Sequence, residues 1–431
     1  MFANAVPSVA ADVVVDIAAP PATAGPDQPG PPRIAAGDAD FKRSNRALFF
    51  GGFSCFALLY SVQPLLPLLS RQFALTAAQS SMTLSVSTAA LAMSMLVSSA
   101  LTDRLGRKPM MTAALVLAAV FTLLCAGAHS YTQLLLLRAA LGVALGGMPA
   151  IAMAYLGEEM EPASLGLSMG LYISGSAFGG MAGRVLTSVL SDWLSWRAAL
   201  AAMGVAGLLS AWEFSRSLPR SRHFTASADG WRTLPSGLRL HFADAGLPWL
   251  FAISFLLMGC FVSVYNYIGF RLLDAPFGLR PSVVGAISFL YFLGIFSSVW
   301  AGRLADRLGR RGVLWLTMAV MGAGLLLTLF NVLALIVAGM ALLTFGFFAS
   351  HSVASSWVSR RAAAPKALAS ALYLFFYYMG SSVIGSATGL MWTRAAWPGV
   401  VAMLAVVLTL ALLIALRLRT LAPLSPAPAK A

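Results

Sequence analysis

Asp103-Arg104-Leu105-Gly106-Arg107-Lys108 returns 203 residues later as Asp306-Arg307-Leu308-Gly309-Arg310-Arg311. Each copy occupies a short polar gap between two long apolar runs. Arg and Lys alone would be ordinary in such a gap, but a duplicated Asp and a duplicated Gly would not. The acid can cap the helix that follows, and the glycine lets the chain turn sharply. The repeat therefore predicts two parallel halves, each with this turn at the same place.

Apolar runs flank both copies, each long enough to cross a bilayer core, which takes ~20 residues. They fall at 47–69, 82–101, 110–128, 133–156, 165–191 and 198–215, then at 247–270, 283–301, 313–330, 333–357, 367–392 and 397–416. The pattern predicts an all-α membrane protein of twelve transmembrane helices, with six-helix bundles at 42–215 and 247–420. Two runs nearly fuse at the tight turn Phe330-Asn331-Val332. The stretch 216–246 is the one long polar interruption and reads as a solvated linker with room for a short surface helix. Residues 1–41, with PPATAGPDQPGPP at 20–32, have no apolar period and read as a disordered tail, not a secretory signal. Residues 421–431 read as a short C-terminal tail.

Of the 431 residues, 59% are hydrophobic and only 10% charged, and the mean hydropathy is +0.82. Soluble domains carry roughly 25% charged residues. This chain has too few charges to cover its own surface and needs lipid around it. That excludes cytosolic enzymes and secreted disulfide domains. Cys55, Cys125 and Cys260 lie inside apolar runs, so neither a disulfide framework nor a metal cluster is expected. The net charge of +14 does not form a nucleic-acid patch. With both termini on one side, 22 of the 29 Lys and Arg fall in the tails, linker and loops of that side, against five on the other. The positive-inside rule then puts the termini, the linker and both DRLGR loops in the cytoplasm.

Twelve spans in two halves with this repeated loop resemble the major facilitator superfamily, and the resemblance covers about 45–420. The family signature G-x-L-A-D-R-x-G-R-R fits from Gly302 through Arg311, while the first copy has Ser99 where the family prefers Gly. Arg138, Gly142 and Gly146 are similar to the R-x-x-x-G element of the family's fourth helix. Gly175, Gly179, Gly180 and Gly183 resemble the glycine-rich fifth-helix motif of the drug:proton antiporter branch, with Gly180 at the proline position. The stretches 179–184 and 265–272 look most like YnfM-type inner-membrane transporters. The resemblance implies alternating access. It also implies that Asp103, Arg104, Gly106, Arg107, Asp306, Arg307, Gly309 and Arg310 work as a conformational gate at the cytoplasmic side.

Gly175, Gly179 and Gly183 share one helix face, as do Gly142 and Gly146, and such faces let helices approach backbone to backbone. Static packing and a smooth surface for rocking are both open for them. Arg138 and Arg184 lie inside spans, where an Arg costs roughly 3 kcal/mol on insertion scales, so neither should face lipid. Snorkelling is the alternative for Arg138; for Arg184 a cavity or a partner is expected. No Asp or Glu lies deep in any span. Two deep cations without acids point to an anionic, zwitterionic or strongly hydrogen-bonding substrate, with satisfaction of both arginines by backbone carbonyls as the alternative. Further cavity candidates are Tyr60, Gln63, Asn266, Tyr373 and Tyr377. His351, the one histidine inside a span, could carry a coupling proton or make a packing hydrogen bond.

The expectation is a monomeric secondary transporter in an inner membrane, moving a small organic solute by proton-coupled efflux, with uptake of a possibly anionic metabolite as the alternative. No cofactor or metal is expected. An enzyme would need a histidine–acid pair or an activated nucleophile. His129, His223, His241 and His351 show no such spacing, and there is no phosphate-binding P-loop.

Overall fold

The computed structural model describes residues 32–224, 230–363 and 365–421, without the side chains at 99–101, 103, 104 and 230–233. The expected roles of the Asp103 and Arg104 side chains therefore lie outside the described residues, as do most of both tails.

The first six spans are Ala39–Tyr60 continued by Gln63–Leu65 and Leu66–Gln72, then Ala77–Leu105, Arg107–Ala126, Tyr131–Leu145 continued by Pro149–Glu159, Pro162–Trp193 and Trp196–Ser217. A linker helix, Gly230–Ala243, follows. The second half contains Leu247–Leu273, then Pro281–Ala286 continued by Ile287–Leu290 and Tyr291–Leu308, Arg310–Leu327, Leu333–Arg361 and Lys366–Arg419. That last run of 54 residues holds two spans, because the backbone leaves the helical region at Ala395 and Ala396. Ten of the described helices are long and apolar enough to cross a membrane, the 54-residue run counted once. Dividing it and adding the Gly- and Ser-rich Pro162–Trp193 gives twelve.

The two ends of the bundle turn by different chemistry. At the DRLGR end, Gly106 and Gly309 take φ of 83° and 82°, a region side chains rarely enter, and so each ends one helix and admits the next. At the opposite end, hydroxyls do the work. Thr76 accepts from the Gln79 N–H, Ser130 from Gln133 and Ser195 from Ala198, so three helices start within a few residues of the preceding one. Thr76 and Gln79 complete a reciprocal capping box.

The glycine faces pack as backbone contacts. A Cβ at Gly175, Gly179 or Gly183 would strike the carbonyls of Phe49, Phe53 and Ala57, also spaced by four. The fifth span thus lies directly on the first. Gly142 meets the Ser87 carbonyl in the same way and Gly146 meets the Ser94 side chain, joining the fourth span to the second. The second half repeats the device, with Gly380 against the Phe255 carbonyl.

The structure departs from the sequence reading at two places. The expected disordered stretch 1–41 is ordered from Pro32 onward. Ile34 forms an isolated parallel bridge with Met160, exchanging hydrogen bonds of 2.8 and 3.0 Å with Glu159 and Glu161, and the first helix begins at Ala39. One buried isoleucine escapes any test of periodicity. The fourth span breaks at Gly146–Met148, where Pro149 opens a new helix. The tight turn expected at 330–332 is present, held by Arg271 on the Thr328 and Phe330 carbonyls and on Asn331.

Candidate substrate site between the halves

The first span loses its α ladder after Tyr60, because Pro64 has no N–H to give. That leaves the last carbonyls of the helix without intrahelical donors. Arg138 supplies them: its Nη1 and Nη2 donate to Leu58 and Leu59 at 3.3 and 2.6 Å, and its Nε to Thr83 at 3.0 Å. Arg138 is fully buried and all three nitrogens are occupied by backbone. It fixes the break that presents Tyr60 and Gln63 and does not itself reach the space between the halves. The geometry therefore separates it from the other cavity candidates.

Gln63 points across to Arg184 of the fifth span. Arg184 Nε donates to Gln63 Oε1 at 2.5 Å, and its Nη1 donates to the Gly180 carbonyl at 2.6 Å. Gln63 Nε2 then donates to Asn266 Oδ1 of the seventh span at 2.6 Å. The guanidinium lies 4.1 Å from the ring centre of Tyr60, 4.9 Å from Tyr291 and 5.8 Å from Tyr265. Arg184 is buried, and among the described residues no carboxylate pairs with it. Ring faces and carbonyl dipoles hold the cation without neutralising it. A cavity of about 30 Å³ adjoins it, with Ser188, Gly285 and Ser288 in its wall.

Four of the sequence candidates, Tyr60, Gln63, Arg184 and Asn266, thus converge. Three others form a second group in the C-terminal half. Tyr373 Oη lies 3.0 Å from His351 Nδ1, and the Tyr377 ring centre 4.8 Å from that of His351. Rings connect the two groups. Tyr265 meets Phe261 at 4.9 Å, Phe261 stacks on Phe347 at 3.9 Å, and Phe347 stacks on His351 at 6.0 Å.

The halves are joined by polar contacts at the end away from the DRLGR loops. Besides Gln63–Asn266, Tyr267 Oη reaches Ser81 at 2.9 Å, Ser282 reaches Asp192 at 2.5 Å, and Arg71 pairs with Asp274 at 2.5 Å. The pairs named at the DRLGR end join residues of one half or tie the linker to it. Arg107 pairs with Glu158 and covers Phe224; Asp306 pairs with Arg310 at 2.8 Å and with Arg360 at 3.7 Å; Arg307 is exposed.

Sequence reasoning passed over Tyr291, Ser188 and the Arg71–Asp274 pair. Tyr291 follows a 3-10 turn at 287–290 that no proline marks, and Arg71 and Asp274 looked like ordinary loop charges. Tyr265 lay in a quoted stretch, but without a partner to give it meaning.

The Major Facilitator Superfamily model matches residues 48–275 and 269–431. The inner membrane transport protein YnfM of Escherichia coli (strain K12) is 49% identical over 89% of this chain and 92% of that protein. The uncharacterized MFS-type transporter YybF of Bacillus subtilis (strain 168) is 46% identical over 88% of this chain and 94% of that protein. Among solved structures, a bacterial homologue of the human lysosomal transporter Spinster, inward-facing and occupied, superposes with TM-score 0.75 at 14% identity over 89% of this chain and 98% of that one. A D-xylose–proton symporter gives 0.68 at 17% identity over 88% and 97%. With the repeated turn, the twelve spans and relatives covering nearly the whole chain, this protein belongs to the major facilitator superfamily, whose members are secondary active transporters and not enzymes.

Proposed function

We propose that the protein exports a small organic solute across an inner membrane by proton-coupled alternating access, as a monomer with both termini and both DRLGR loops in the cytoplasm. The observation that carries this is Arg184, a buried cation that, among the described residues, has no carboxylate partner and lies between two halves joined by the named bonds at the end away from the DRLGR loops. A substrate held there is reached when the halves rock about it. The positive loops and the inner-membrane relative at 49% identity support the membrane and the orientation. In this reading His351, bonded to the Tyr373 hydroxyl, carries the coupling proton.

The experiment is solute movement in proteoliposomes under an imposed proton gradient. Export reading predicts that collapse of the gradient stops accumulation and that His351→Asn uncouples it. Movement indifferent to the gradient would refute coupling. Uptake of an anionic metabolite is the second reading, favoured by Arg184 having no acidic partner; reversal of the gradient's sign in the same assay separates the two. For orientation, a cysteine at Ser236 in a cysteine-free background should resist an external impermeant maleimide in intact cells, and rapid labelling would reverse the topology.

The DRLGR turns act in this proposal as a cytoplasmic gate. Asp103→Asn should weaken cross-linking of cysteine pairs across that seam, and Asp306→Asn should do less, since Asp306 pairs within its own half. Equal, unchanged cross-linking in both would leave the loops as topological signals only.

A further inference from the structure

We propose that the Arg184 site takes a carboxylate carried on a flat, conjugated body, such as an arene or polyene acid; this rests on the transport reading and names the substrate class of that same site. The argument is one of donor polarity. A guanidinium has donors only. Its Nε therefore requires the oxygen of Gln63, which leaves the Gln63 amide nitrogen to donate, and Asn266 must answer with Oδ1. The consequence passes to the far side of Asn266, whose Nδ2 has no acceptor although the residue is buried. Ser188 Oγ, buried one helical turn beyond Arg184 and in the wall of the same cavity, is also without a partner. Among the described residues nothing accepts from Arg184 Nη2. Asn266 lies outside that wall, with its Nδ2 toward Gly385, so the unspent groups at the cavity are the Arg184 donor and the Ser188 hydroxyl, which can be one.

A donor-only site with a net positive charge fits an acceptor-only ligand. A carboxylate is acceptor-only and matches the guanidinium fork. A cation would find no acceptor and would meet a like charge. The space beside Arg184, about 30 Å³, admits the oxygens of such a head and little more. Tyr265 stands in the cavity wall among aliphatic side chains, Tyr60 and Tyr291 flank the same guanidinium, and ring contacts lead from Tyr265 through Phe261 to Phe347. Aromatic faces prefer offset or edge contact with other flat π systems, so a conjugated body is favoured over a saturated one of equal size.

The test uses four probes of similar size, benzoate, cyclohexanecarboxylate, benzamide and benzylamine, and the purified full chain in lipid nanodiscs, with affinity read by calorimetry. The expected order is benzoate first, cyclohexanecarboxylate a few-fold weaker, and benzamide and benzylamine at least tenfold weaker. Arg184→Gln should abolish the preference for charge, whereas Tyr291→Leu should keep it and abolish only the preference for the ring. The wild-type series decides even if Arg184→Gln does not fold. Benzamide or benzylamine binding as well as benzoate, or no binding of either acid, overturns the proposal. The transport reading is judged apart: movement of a cationic dye or a neutral sugar by the same preparation would sustain it while the carboxylate class falls.

Discussion

Gln63 and Asn266 stand 203 residues apart, the spacing of the two DRLGR turns, and they meet by a hydrogen bond of 2.6 Å between the halves. They are therefore the same position in the two copies, facing each other across the pseudo-two-fold axis. Arg71 and Asp274 repeat the relation at the same spacing, closer to the ends of their helices. A buried hydrogen bond contributes about 1 kcal/mol net, and leaving a partner unsatisfied costs more. Gln63→Ala removes the link, strips Arg184 Nε of its acceptor, and should open this end of the molecule several-fold more often. Nitroxides at His129 and Val332, exposed on loops of opposite halves, should show a longer distance population by double electron–electron resonance. An unchanged distribution would deny the link any part in closure.

The ion pair beyond it should matter less. Arg71 and Asp274 side chains are 61% and 59% exposed, and such pairs contribute roughly 0.2–1 kcal/mol, screened by salt. Arg71→Ala should shift the same distance distribution less than Gln63→Ala, and high salt should erase the difference. If it exceeds Gln63→Ala, the latch is electrostatic and external.

Arg184→Lys should fail to restore transport lost in Arg184→Ala. A lysine is a point charge on a flexible stem and cannot hold Gln63 and Gly180 while offering a further planar pair of donors. Expression and detergent-solubilised monodispersity should survive in both variants. Full transport by Arg184→Ala would remove Arg184 from the site.

Backbone approach makes glycine at 179 obligatory. A Cβ there would lie within 2.6 Å of several Phe53 backbone atoms, whereas nothing lies within 4 Å of one at Gly157. Overpacking of this kind costs typically 1–3 kcal/mol. Gly179→Ala should lower the melting temperature of the purified protein, and Gly157→Ala should not. Equal melting temperatures would mean that the fifth span slides easily away from the first.

The linker's anchor has a pH signature. Burial pushes the Asp244 carboxyl up, but the hydrogen bond from Arg361 at 2.6 Å, those from the Gly246 and Leu247 N–H groups, and the Arg361 charge together hold it below the usual carboxylate range. A depressed folded-state value adds stability above the unfolded value, near ~3.9, and loses it as pH falls through the folded one. Asp244→Asn should therefore melt earlier than the parent at pH 7, with the deficit narrowing once pH drops below that value. A deficit constant with pH would mean that shape and not charge holds the linker.

Much of this was legible because membrane spans announce themselves by length and apolarity, and the duplicated turn by its unusual Asp and Gly. Those signals are local. The site was legible only in part: Arg184, Tyr60, Gln63 and Asn266 stood out as polar groups in apolar runs, but their pairing depends on three spans meeting. In sequence Arg138 and Arg184 are both arginines inside apolar spans and both stood as cavity candidates. What separates them is that one faces the carbonyls freed by the break after Tyr60 and the other faces the opposite half. Tyr291 was invisible because a tyrosine in a span is ordinary until a guanidinium is found 4.9 Å away.

The meeting of equivalent positions has a consequence for how such a chain can arise. In a symmetric pair of separate six-helix proteins, whatever stood at position 71 would face its own likeness, and an arginine would repel an arginine. A residue at position 63 would likewise meet an identical residue and could not impose a direction on the bond. Once the two copies are covalently joined, each can drift alone. Arg71 can then meet an aspartate, and Gln63 can hand its hydrogen bond to a shorter amide, sending the spare donor to one chosen side. The polarity of the centre is thus a property of two copies that differ, and two identical copies could not encode it.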